Sequence, residues 1–436
     1  MLILANTFFL FAFLPFVFPF AYYTDIQPTS LVVGSFLIIL GLFSKRVLVT
    51  KLDIYFIFLA ILSYIYINYH AEYLYEIGVA SANNSLRRQI GLTFAVVVFL
   101  ATKNFIHLLN FKILYTVVYL QCFFTILNIY FASIYNFLAS KLIRTIKIDF
   151  TTYDGFRGYS GLSVEPAYLA GSAIAYFFIA SYFWKKNRMS NIQYFLILFP
   201  CVFLLYISKS ALGVVLLIIL ILYILFEFTN LKSVFILIFV VTTVYIFVPA
   251  KIYKNILYSE VVEDSRGMRL MQKSITDGLD SFIRDKSFID KFVPIYVGFL
   301  SLKERPFGGG VGSYPLSVLE NEQTLKDDLN ACERMDLMYD RSVLPTCVTK
   351  APSAFGLYTT EFGYLFILLL ISLLFLHNRY FILSSFIKGV GLIMISNGFS
   401  ITFPLIWVLF ALLSADDDIY RLNYPNKIKN SVETKS

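Results

Sequence analysis

The sequence predicts an all-α polytopic membrane protein with about twelve transmembrane helices and two large loops on its outer side. Hydrophobic residues make up 58% of the chain and charged residues only 15%, which lies outside the usual range of soluble globular proteins. Apolar stretches of about twenty residues, enough to cross a hydrocarbon core of ~30 Å, recur along most of the chain. These stretches are continuous, whereas the strands of a membrane barrel alternate in polarity over about ten residues.

Hydropathy and the basic residues together predict the spans and their orientation. The spans are residues 2–22, 30–44, 52–69, 89–106, 112–137, 166–184, 192–207, 210–227, 231–249, 356–376, 380–396 and 399–414. The first span has no Lys or Arg before it and no small-residue cleavage site, so we interpret it as a retained helix rather than a signal peptide. With a cytoplasmic N-terminus, a set of basic residues near the ends of the spans and in the C-terminal tail lies on the cytoplasmic side, as the positive-inside rule requires. These residues are Lys45, Arg46, Lys51, Lys103, Lys112, Lys185, Lys186, Arg188, Arg379, Arg421, Lys427 and Lys429.

The same pattern divides the chain into six segments. They are helices one to five (1–137), an outer loop (138–165), helices six to nine (166–249), a large outer loop (250–355), helices ten to twelve (356–414) and a cytoplasmic tail (415–436). Most surface loops have about 4 to 6 residues, so the larger outer loop must be a small domain or a functional element. It contains Cys332 and Cys347, which an oxidising compartment would join in a disulfide; the alternative is a pair of inert thiols.

The stretch FRGYSGLSVEPAYLAG, residues 156–171, places an unusual cluster of residues directly before a span. Pro166 is suited to the first turn of the helix, and Glu165 lies before it at the positive end of the helix dipole. Arg157 carries a permanent charge, and Gly158 and Gly161 allow the backbone to fold back tightly. A solvated arginine at the headgroup boundary needs neither a special turn nor a carboxylate, so the cluster predicts a functional site.

This cluster resembles the signature of Wzy-type O-antigen polymerases, in which Arg, Gly and Glu-Pro-(Ser/Ala)-aromatic-Leu-Ala open a transmembrane helix. ISKSALGVV at 207–215 is similar to that family's Ser-rich turn with a basic residue. RPFGGGVGSYP at 305–315 resembles a Pro-aromatic-Gly-x-Gly-x-Gly element of its large periplasmic loop, and APSAFGLYTTEFGYLF at 351–366 resembles the segment that re-enters the membrane. The resemblance covers nearly the whole chain and implies the GT-C-like architecture that these polymerases share with O-antigen ligases.

The resemblance implies glycosyl transfer between lipid-linked oligosaccharides at the periplasmic face of a bacterial inner membrane. A chain on undecaprenyl pyrophosphate moves onto the terminal sugar of a new lipid-linked repeat unit. The leaving pyrophosphate gains negative charge, and fixed guanidinium groups stabilise such charge. Arg157 is the first candidate for this role, and Arg266, Arg269 and Arg305 of the large loop are further candidates that could instead form surface ion pairs.

An acceptor hydroxyl must also lose a proton as it attacks, and a carboxylate is the natural base. Glu165 is the best-placed candidate, with a salt bridge that holds Arg157 as its alternative role. Glu361 lies at the predicted start of the tenth span, where it either faces the same cavity or is structural. Lys209 lies where two spans turn, so it either binds phosphate or marks the headgroup level.

The glycines of the large loop, Gly308, Gly310 and Gly312, belong to the element that resembles the family, and we group them with the substrate- or pyrophosphate-binding residues. A nucleotide-binding loop is not expected, because it needs a preceding strand, a following helix and a compartment with nucleotides, and the sequence indicates none of these. The acidic run at 416–418 fits a solvated helix end, and the three histidines, His70, His107 and His377, are too scattered for a metal set. No cofactor is expected.

The expected partners are undecaprenyl-pyrophosphate-linked oligosaccharides, membrane lipids and, by the resemblance, a chain-length-determining co-polymerase and a flippase. The net charge of +8 is explained by the bias of basic residues to the cytoplasmic side and by their attraction to anionic headgroups, so no nucleic acid is expected.

The closest alternative is an O-antigen ligase, whose large loop carries a functional histidine that this loop lacks. A lipid-linked oligosaccharide flippase is disfavoured because the sequence shows no internal repeat and few mid-span charges, Lys388 being the main exception. A transferase that uses polyprenyl-phosphate sugars would need an acid in the first outer loop, where Asp25 has no supporting motif.

Overall fold

The computed structural model describes residues 1–17, 26–66, 82–143, 158–228, 286–321, 324, 353–376, 379–397 and 399–415. Over these residues the chain forms helices and no strand; an isolated antiparallel bridge joins Val17 to Ile143. Several predicted features lie outside the described residues. They are the 231–249 span, Arg157, Arg266, Arg269, Cys332, Cys347 and the tail from residue 416.

The described part of the chain contains fifteen α-helices and one short 3-10 helix. The α-helices are α1 (Leu2–Phe13), α2 (Pro28–Phe43), α3 (Lys51–Ile65), α4 (Ala82–Phe105), α5 (Phe111–Tyr130), α6 (Ala132–Leu142), α7 (Pro166–Lys185), α8 (Asn191–Ile207), α9 (Ala211–Phe228), α10 (Lys286–Glu304), α11 (Tyr314–Glu320), α12 (Ala354–Phe362), α13 (Tyr364–Leu374), α14 (Phe381–Ser396) and α15 (Pro404–Ser414). The 3-10 helix, Ile106–Leu108, extends α4.

Four segments in the described part are long and apolar enough to cross a bilayer: Gln89–Leu108, Phe111–Tyr130, Pro166–Lys185 and Ala211–Phe228. Six further apolar helices are shorter. The prediction of an all-α membrane protein is therefore confirmed at this level.

Local sequence signals explain where several helices begin. Pro28, Pro166 and Pro404 occupy the first turns of α2, α7 and α15, where a missing N–H costs nothing. Ser190 and Gln193 form a capping box at α8, as Thr50 and Asp53 do at α3. These signals fix where the helices begin, and therefore where along the bundle the connecting segments lie.

Two helices, α7 and α15, form the centre of the bundle. Almost every residue of α7 from Leu169 to Phe183 is buried, and so are the residues of α15 from Pro404 to Leu413. A helix that is apolar on all sides is expected to be enclosed by other helices. Trp407 anchors α15, since its indole N–H donates to the carbonyl of Ile401 at 2.6 Å.

A buried ion pair joins α3 to α4 at the opposite end of the bundle from the start of α7. Lys103 donates to Asp53, and both side chains are almost fully buried. Asp53 also accepts hydrogen bonds from the backbone N–H and the hydroxyl of Thr50. Removing one partner of such a pair costs about 3 to 5 kcal/mol because it leaves a buried charge uncompensated.

Pro200 interrupts the hydrogen bonds of α8, and α5 compensates for the interruption. A proline inside a helix frees the carbonyl four residues earlier, which here is that of Leu196. The hydroxyl of Tyr119 donates to this carbonyl at 3.1 Å, and Tyr115 donates in the same way to Gln193 at 2.9 Å. The pairing fixes α5 against α8.

Two predicted spans are each divided into two helices. The predicted 112–137 span breaks at Phe131, whose φ of −135° and ψ of 55° are not helical, and α6 follows as a separate helix. The predicted 356–376 span breaks at Gly363, whose φ of 57° only glycine adopts easily. Hydropathy missed both breaks because the residues on either side are equally apolar.

Two other helix ends differ from prediction for reasons visible in the sequence. α1 ends at Phe13 rather than near residue 22, because Pro15 disfavours a helical conformation at the residue before it. α15 begins at Pro404 rather than at residue 399, since residues 399–403 form a turn that the first-turn proline closes.

Candidate functional site

The sequence-predicted site residues that the structure describes gather at one end of the bundle, which we call the site end. It is the end where α7 begins at Pro166 and α8 finishes at Ile207. α15 runs in the same direction as α7, because Tyr182 near the end of α7 donates to Ala415 after α15. α3 reaches the site end with its C-terminus, where Tyr66 contacts Gly308.

The first element at the site end is the Glu-Pro loop, residues 158–165, which rests on the turn between α8 and α9. Gly158 has a φ of 101°, and a Cβ added to it would lie 1.8 Å from the carbonyl oxygen of Ser208. That oxygen belongs to the backbone and cannot move aside, so only glycine fits here. The Glu-Pro loop is thereby packed directly against Ser208 and Lys209.

Polar side chains of α5 hold the other side of the Glu-Pro loop. Gln121 accepts a hydrogen bond from the backbone N–H of Leu162 at 3.0 Å, and Asn128 accepts one from Ser160 at 3.4 Å. Gly161 has a φ of 54° and approaches so closely that an added Cβ would lie 2.7 Å from the hydroxyl of Thr125. A buried backbone N–H needs such a partner, so Gln121 and Asn128 satisfy the loop, while Thr125 lies against Gly161 and donates to the carbonyl of Gln121.

Tyr135 of α6 completes this support. Its hydroxyl donates to the carbonyl of Gly161 at 2.7 Å and lies 3.1 Å from the hydroxyl of Ser160. The tyrosine is almost fully buried. α5 and α6 therefore both bond Ser160, while α5 also bonds Leu162 and α6 also bonds Gly161.

Glu165 and Lys209 lie at the two edges of the Glu-Pro loop. Glu165 is the N-cap residue of α7, in an extended conformation, and its exposed side chain makes no capping hydrogen bond. Lys209 lies between Ile207 and Ala211, in the turn that the sequence predicted, with a φ of 48°. The fold thus brings a carboxylate and an ammonium-bearing residue to one loop from positions 44 residues apart in the sequence.

The second element is the glycine loop, residues 306–313, which follows Arg305 and packs on the end of α12. Gly309 and Gly310 donate to the carbonyls of Thr360 and Glu361 at 2.9 and 3.1 Å. The last carbonyls of a helix have no partner within it, so the glycine loop caps α12. Gly312 donates to the Oε1 atom of Glu361 at 2.9 Å.

All six backbone N–H groups from Gly308 to Ser313 donate to acceptors inside the protein. Besides the three bonds to α12, the acceptors are the carbonyls of Arg305, Gly310 and, at 3.3 Å, Tyr66. A phosphate-binding loop needs N–H groups that point at the anion. The N–H groups of Gly308, Gly310 and Gly312, whose φ values are 84°, 86° and 93°, are thus already used inside the protein, and the grouping of these glycines with the substrate- or pyrophosphate-binding residues stays a prediction.

The position of Glu361 also differs from its prediction. It does not begin a span but lies near the end of the short helix α12, where its side chain is fully buried. Its carboxylate accepts a hydrogen bond from the N–H of Gly312, so Glu361 connects the glycine loop to α12. This contact, at the junction of α12 and the glycine loop, favours the structural alternative of the two predicted roles.

Arg305 precedes the glycine loop and points one edge of its guanidinium group at Glu320. The two form an ion pair in which the arginine side chain is 21% exposed. Its Nη1 atom is buried and has no hydrogen-bond partner among the described residues. Arg305 is therefore both a partner in an ion pair and a cation with an unused donor.

α10 supports α12 from the side, and small residues allow the close approach. A Cβ on Gly356 would lie 2.2 Å from the carbonyl oxygen of Pro294, and one on Gly298 would lie 3.2 Å from Thr359. These glycines let the two backbones pack in contact. The segment before Arg305 and the helix under the glycine loop thus form one packed unit.

A continuous series of contacts connects the Glu-Pro loop to the glycine loop. Tyr168, in the first turn of α7, accepts the N–H of Ser400 at 3.5 Å and packs edge-on against Phe399. The turn that contains Ser400 also supplies Thr402, which lies with Tyr358 of α12 against Gly91. Tyr358 stacks on Phe362, beside Glu361, with ring centroids 6.1 Å apart. Both loops therefore belong to one face of the bundle.

Sequence reasoning missed the residues that hold these loops, which are Gln121, Asn128, Tyr135 and Tyr66. A signal was present for three positions on α5: Gln121, Thr125 and Asn128 recur at intervals of four and three residues within an apolar helix. That spacing places polar groups on one side of a helix. Polar residues inside a span usually face protein or water rather than lipid, so the stripe indicates a polar partner.

Comparison of the chain with protein-family models, with curated proteins and with solved structures finds no match. The function is therefore inferred from the residues themselves and from their arrangement at the site end.

Proposed function

We propose that this chain is a repeat-unit polymerase: a glycosyltransferase that moves a growing oligosaccharide from undecaprenyl pyrophosphate to a second lipid-linked repeat unit. One observation carries the proposal. The Glu-Pro loop packs on the Ser208–Lys209 turn at the same end of the bundle as Arg305 and Glu361. Stretches that resemble one polymerase family, and that lie far apart in the sequence, thus converge on one face.

The proposed reaction is a substitution at the anomeric carbon of the donor sugar. The acceptor hydroxyl forms the new C–O bond while the bond to pyrophosphate breaks, and the hydroxyl proton passes to a base. Glu165, exposed at the edge of the Glu-Pro loop, is the proposed base. Arg157 and Lys209 are the proposed cations for the departing undecaprenyl pyrophosphate.

Arg305 is proposed to contact the pyrophosphate of one of the two lipid-linked substrates. Its buried Nη1 donor supports this, because a guanidinium group can donate to a phosphate with one edge while its other edge binds a carboxylate. The glycine loop would then position Arg305 without touching substrate. Arg266 and Arg269, which lie outside the described residues, are proposed as further cations.

The proposal includes a topology. About twelve spans cross the inner membrane of a bacterium, with a cytoplasmic N-terminus and both large loops in the periplasm, where Cys332 and Cys347 form a disulfide. A flippase would supply the lipid-linked units, and a co-polymerase would set the chain length. The product is O-antigen or a related surface polysaccharide.

The test is a gel of surface polysaccharide from cells that lack their own copy of the gene. These cells would express the wild type, Arg157→Ala or Glu165→Gln, with protein levels measured by immunoblot. Arg379→Ala and Glu304→Gln are the matched controls, since both residues are exposed and lie outside the proposed site. We expect deletion to leave a core with a single repeat unit, and only the wild type and the controls to restore the ladder.

Other outcomes would contradict the proposal in distinct ways. If deletion leaves a bare core while polymer accumulates on the lipid carrier, the protein is a ligase. If single repeat units accumulate on the carrier at the cytoplasmic face, it is a flippase. A full ladder from Arg157→Ala would remove that residue from the mechanism.

A further inference from the structure

The helix α6, Ala132–Leu142, has three sides of different character. Tyr135 and Ala139, one turn apart, are buried against the protein. Ile134 and Phe137 lie on a second side and are 53% and 66% exposed. The third side is polar and exposed, and it carries Ser133, Asn136 and Ser140.

Such a three-way division is expected where a helix meets protein, hydrocarbon and water at once. A helix at the surface of a soluble protein needs only two sides, one apolar and one polar. The exposed apolar side of α6 has no partner within the described chain. Removing a residue such as Phe137 from water would nevertheless lower the free energy of the protein. Something other than water therefore covers it.

The exposed apolar side of α6 continues the exposed side of α5, which identifies what covers it. Phe123, Ile126 and Tyr130 are exposed along α5, and Phe131 carries the surface across the break into α6. α5 is one of the four described helices able to cross a bilayer, so its exposed apolar side faces lipid. α5 has twenty residues and ends where α6 begins, which places the start of α6 at the edge of the hydrocarbon core.

Lys141 is consistent with this placement. It lies in the last turn of α6, exposed and close in angle to Ile134, seven residues earlier. A lysine stem can lie along the hydrocarbon boundary while its ammonium group reaches the anionic headgroups. Lys141 thus lies at the C-terminal end of the apolar side, where its stem can follow the hydrocarbon and its charge can reach the headgroups.

We infer that α6 lies in the interfacial layer of the bilayer, with Ile134 and Phe137 among the upper acyl chains and Asn136 and Ser140 towards water. Tyr135, on the inner side, connects this helix to Ser160 and Gly161 of the Glu-Pro loop. α6 therefore sets the depth of the Glu-Pro loop relative to the membrane surface.

This depth has a chemical meaning that rests on the proposed function. The pyrophosphate of a polyprenyl-linked sugar lies at the headgroup level because its lipid tail is anchored in the hydrocarbon. A helix that is itself held at that level would bring the Glu-Pro loop to the height of the pyrophosphate. The contact between α6 and lipid does not depend on the proposed function.

The first experiment measures the lipid contact alone. Phe137→Trp and Asn136→Trp place an indole on two sides of α6 that are about 100° apart around the helix. Each full-length variant is reconstituted in phosphatidylcholine bilayers, with or without bromine on the upper part of an acyl chain. The wild type, which has only Trp184 and Trp407, gives the background.

We expect brominated lipid to quench about half or more of the added fluorescence of Phe137→Trp and little of that of Asn136→Trp. Aqueous iodide should quench the two variants in the opposite order. Equal lipid quenching of both variants would overturn the inference. So would protection of the indole in the Phe137→Trp variant from both lipid and iodide, which would identify a protein surface as the partner.

The second experiment tests the effect on the site. Phe137→Ser weakens the lipid contact, and Ile134→Leu is a control that keeps it. With purified protein and lipid-linked repeat units, we expect Phe137→Ser to lower the turnover rate at least about threefold, with an unchanged melting temperature. Full turnover in this variant would overturn the depth role, whereas a wild type without polymerase activity would contradict only the proposed function, because the quenching result stands by itself.

Discussion

The Glu-Pro loop and the glycine loop both depend on glycines with positive φ, yet they are held by different parts of the protein. Side chains of α5 and α6 hold the Glu-Pro loop, through Gln121, Asn128 and Tyr135. The glycine loop is held mainly by backbone atoms, because its own N–H groups donate to the carbonyls at the end of α12.

This difference separates the expected functions of the two loops. The backbone N–H groups of the glycine loop are used in contacts within the protein, several of them to α12, so in the proposed mechanism only the adjacent Arg305 contacts substrate. The Glu-Pro loop uses few of its own groups to bind α5 and α6, and it presents Glu165 at an exposed edge. The glycine loop is therefore expected to have a structural role, and the Glu-Pro loop is expected to carry the reactive groups.

The largest expected effect is that of a methyl group at the closest backbone contacts. Gly158→Ala and Gly308→Ala would place a Cβ 1.8 and 2.3 Å from backbone oxygens, at residues whose φ is already positive. We expect each to lower the free energy of unfolding by roughly 3 kcal/mol or more, or to abolish accumulation of the protein. Thermal unfolding in detergent measures this.

Gly389→Ala is the matched control for both substitutions. A Cβ at Gly389, within α14, would meet nothing within 4 Å. Alanine in a helix interior should raise stability by about 0.5 to 1 kcal/mol. Wild-type stability in Gly308→Ala would show that the glycine loop is not packed on α12 as described.

The next effect separates the two sets of anchors. Gln121→Leu leaves the N–H of Leu162 without an acceptor, and Glu361→Met does the same to Gly312, at a cost of about 1 to 3 kcal/mol each. If the loops are held independently, the decrease in the free energy of unfolding of the double variant should equal the sum of the two single decreases within about 0.5 kcal/mol. A larger deviation would mean that the two loops form one cooperative unit.

Glu361 allows a sharper comparison between structure and chemistry. Glu361→Gln keeps an oxygen that can accept the N–H of Gly312, so a structural role predicts activity and stability close to wild type. Polymer length and yield on a gel would measure activity. An inactive but stable Glu361→Gln protein would favour the alternative role, in which this carboxylate faces the substrate cavity.

A smaller effect is expected from the hydroxyl of Tyr135. Tyr135→Phe removes the hydrogen bond to Gly161 but keeps the ring. It should lower the free energy of unfolding by about 1 kcal/mol. Tyr130→Phe, at a residue that is 73% exposed, is the control and should leave stability unchanged. Equal melting temperatures for the two variants would argue against side-chain support of the Glu-Pro loop.

The smallest stability effect concerns the ion pair beside the glycine loop. Glu320→Gln should cost less than about 1 kcal/mol, because Arg305 and Glu320 are partly exposed and water screens the pair. Arg305→Ala should also leave the melting temperature nearly unchanged but lower polymer yield about tenfold or more. A normal yield from Arg305→Ala would leave the residue with only its ion pair.

The sequence alone supported the helical membrane fold, the start of α7 at Pro166 and the turn at Lys209, because each depends on local chemistry. The break at Gly363 was not predictable in this way, since it follows from contact with Pro306, far away in the chain. The burial of Glu361 and the use of the glycine N–H groups have the same origin. The stripe on α5 was visible in the spacing of its polar residues, but its partner was not.

The most direct test of the polymerase proposal is reconstitution of the purified chain in nanodiscs with a single substrate, a repeat unit on undecaprenyl pyrophosphate. Mass spectrometry would measure the length of the lipid-linked products. The proposal predicts products of two or more repeat units, formed without added nucleotide, in the presence of EDTA, and not formed by Arg157→Ala. Absence of such products, together with transfer of one unit to added lipid A core by the same preparation, would contradict it.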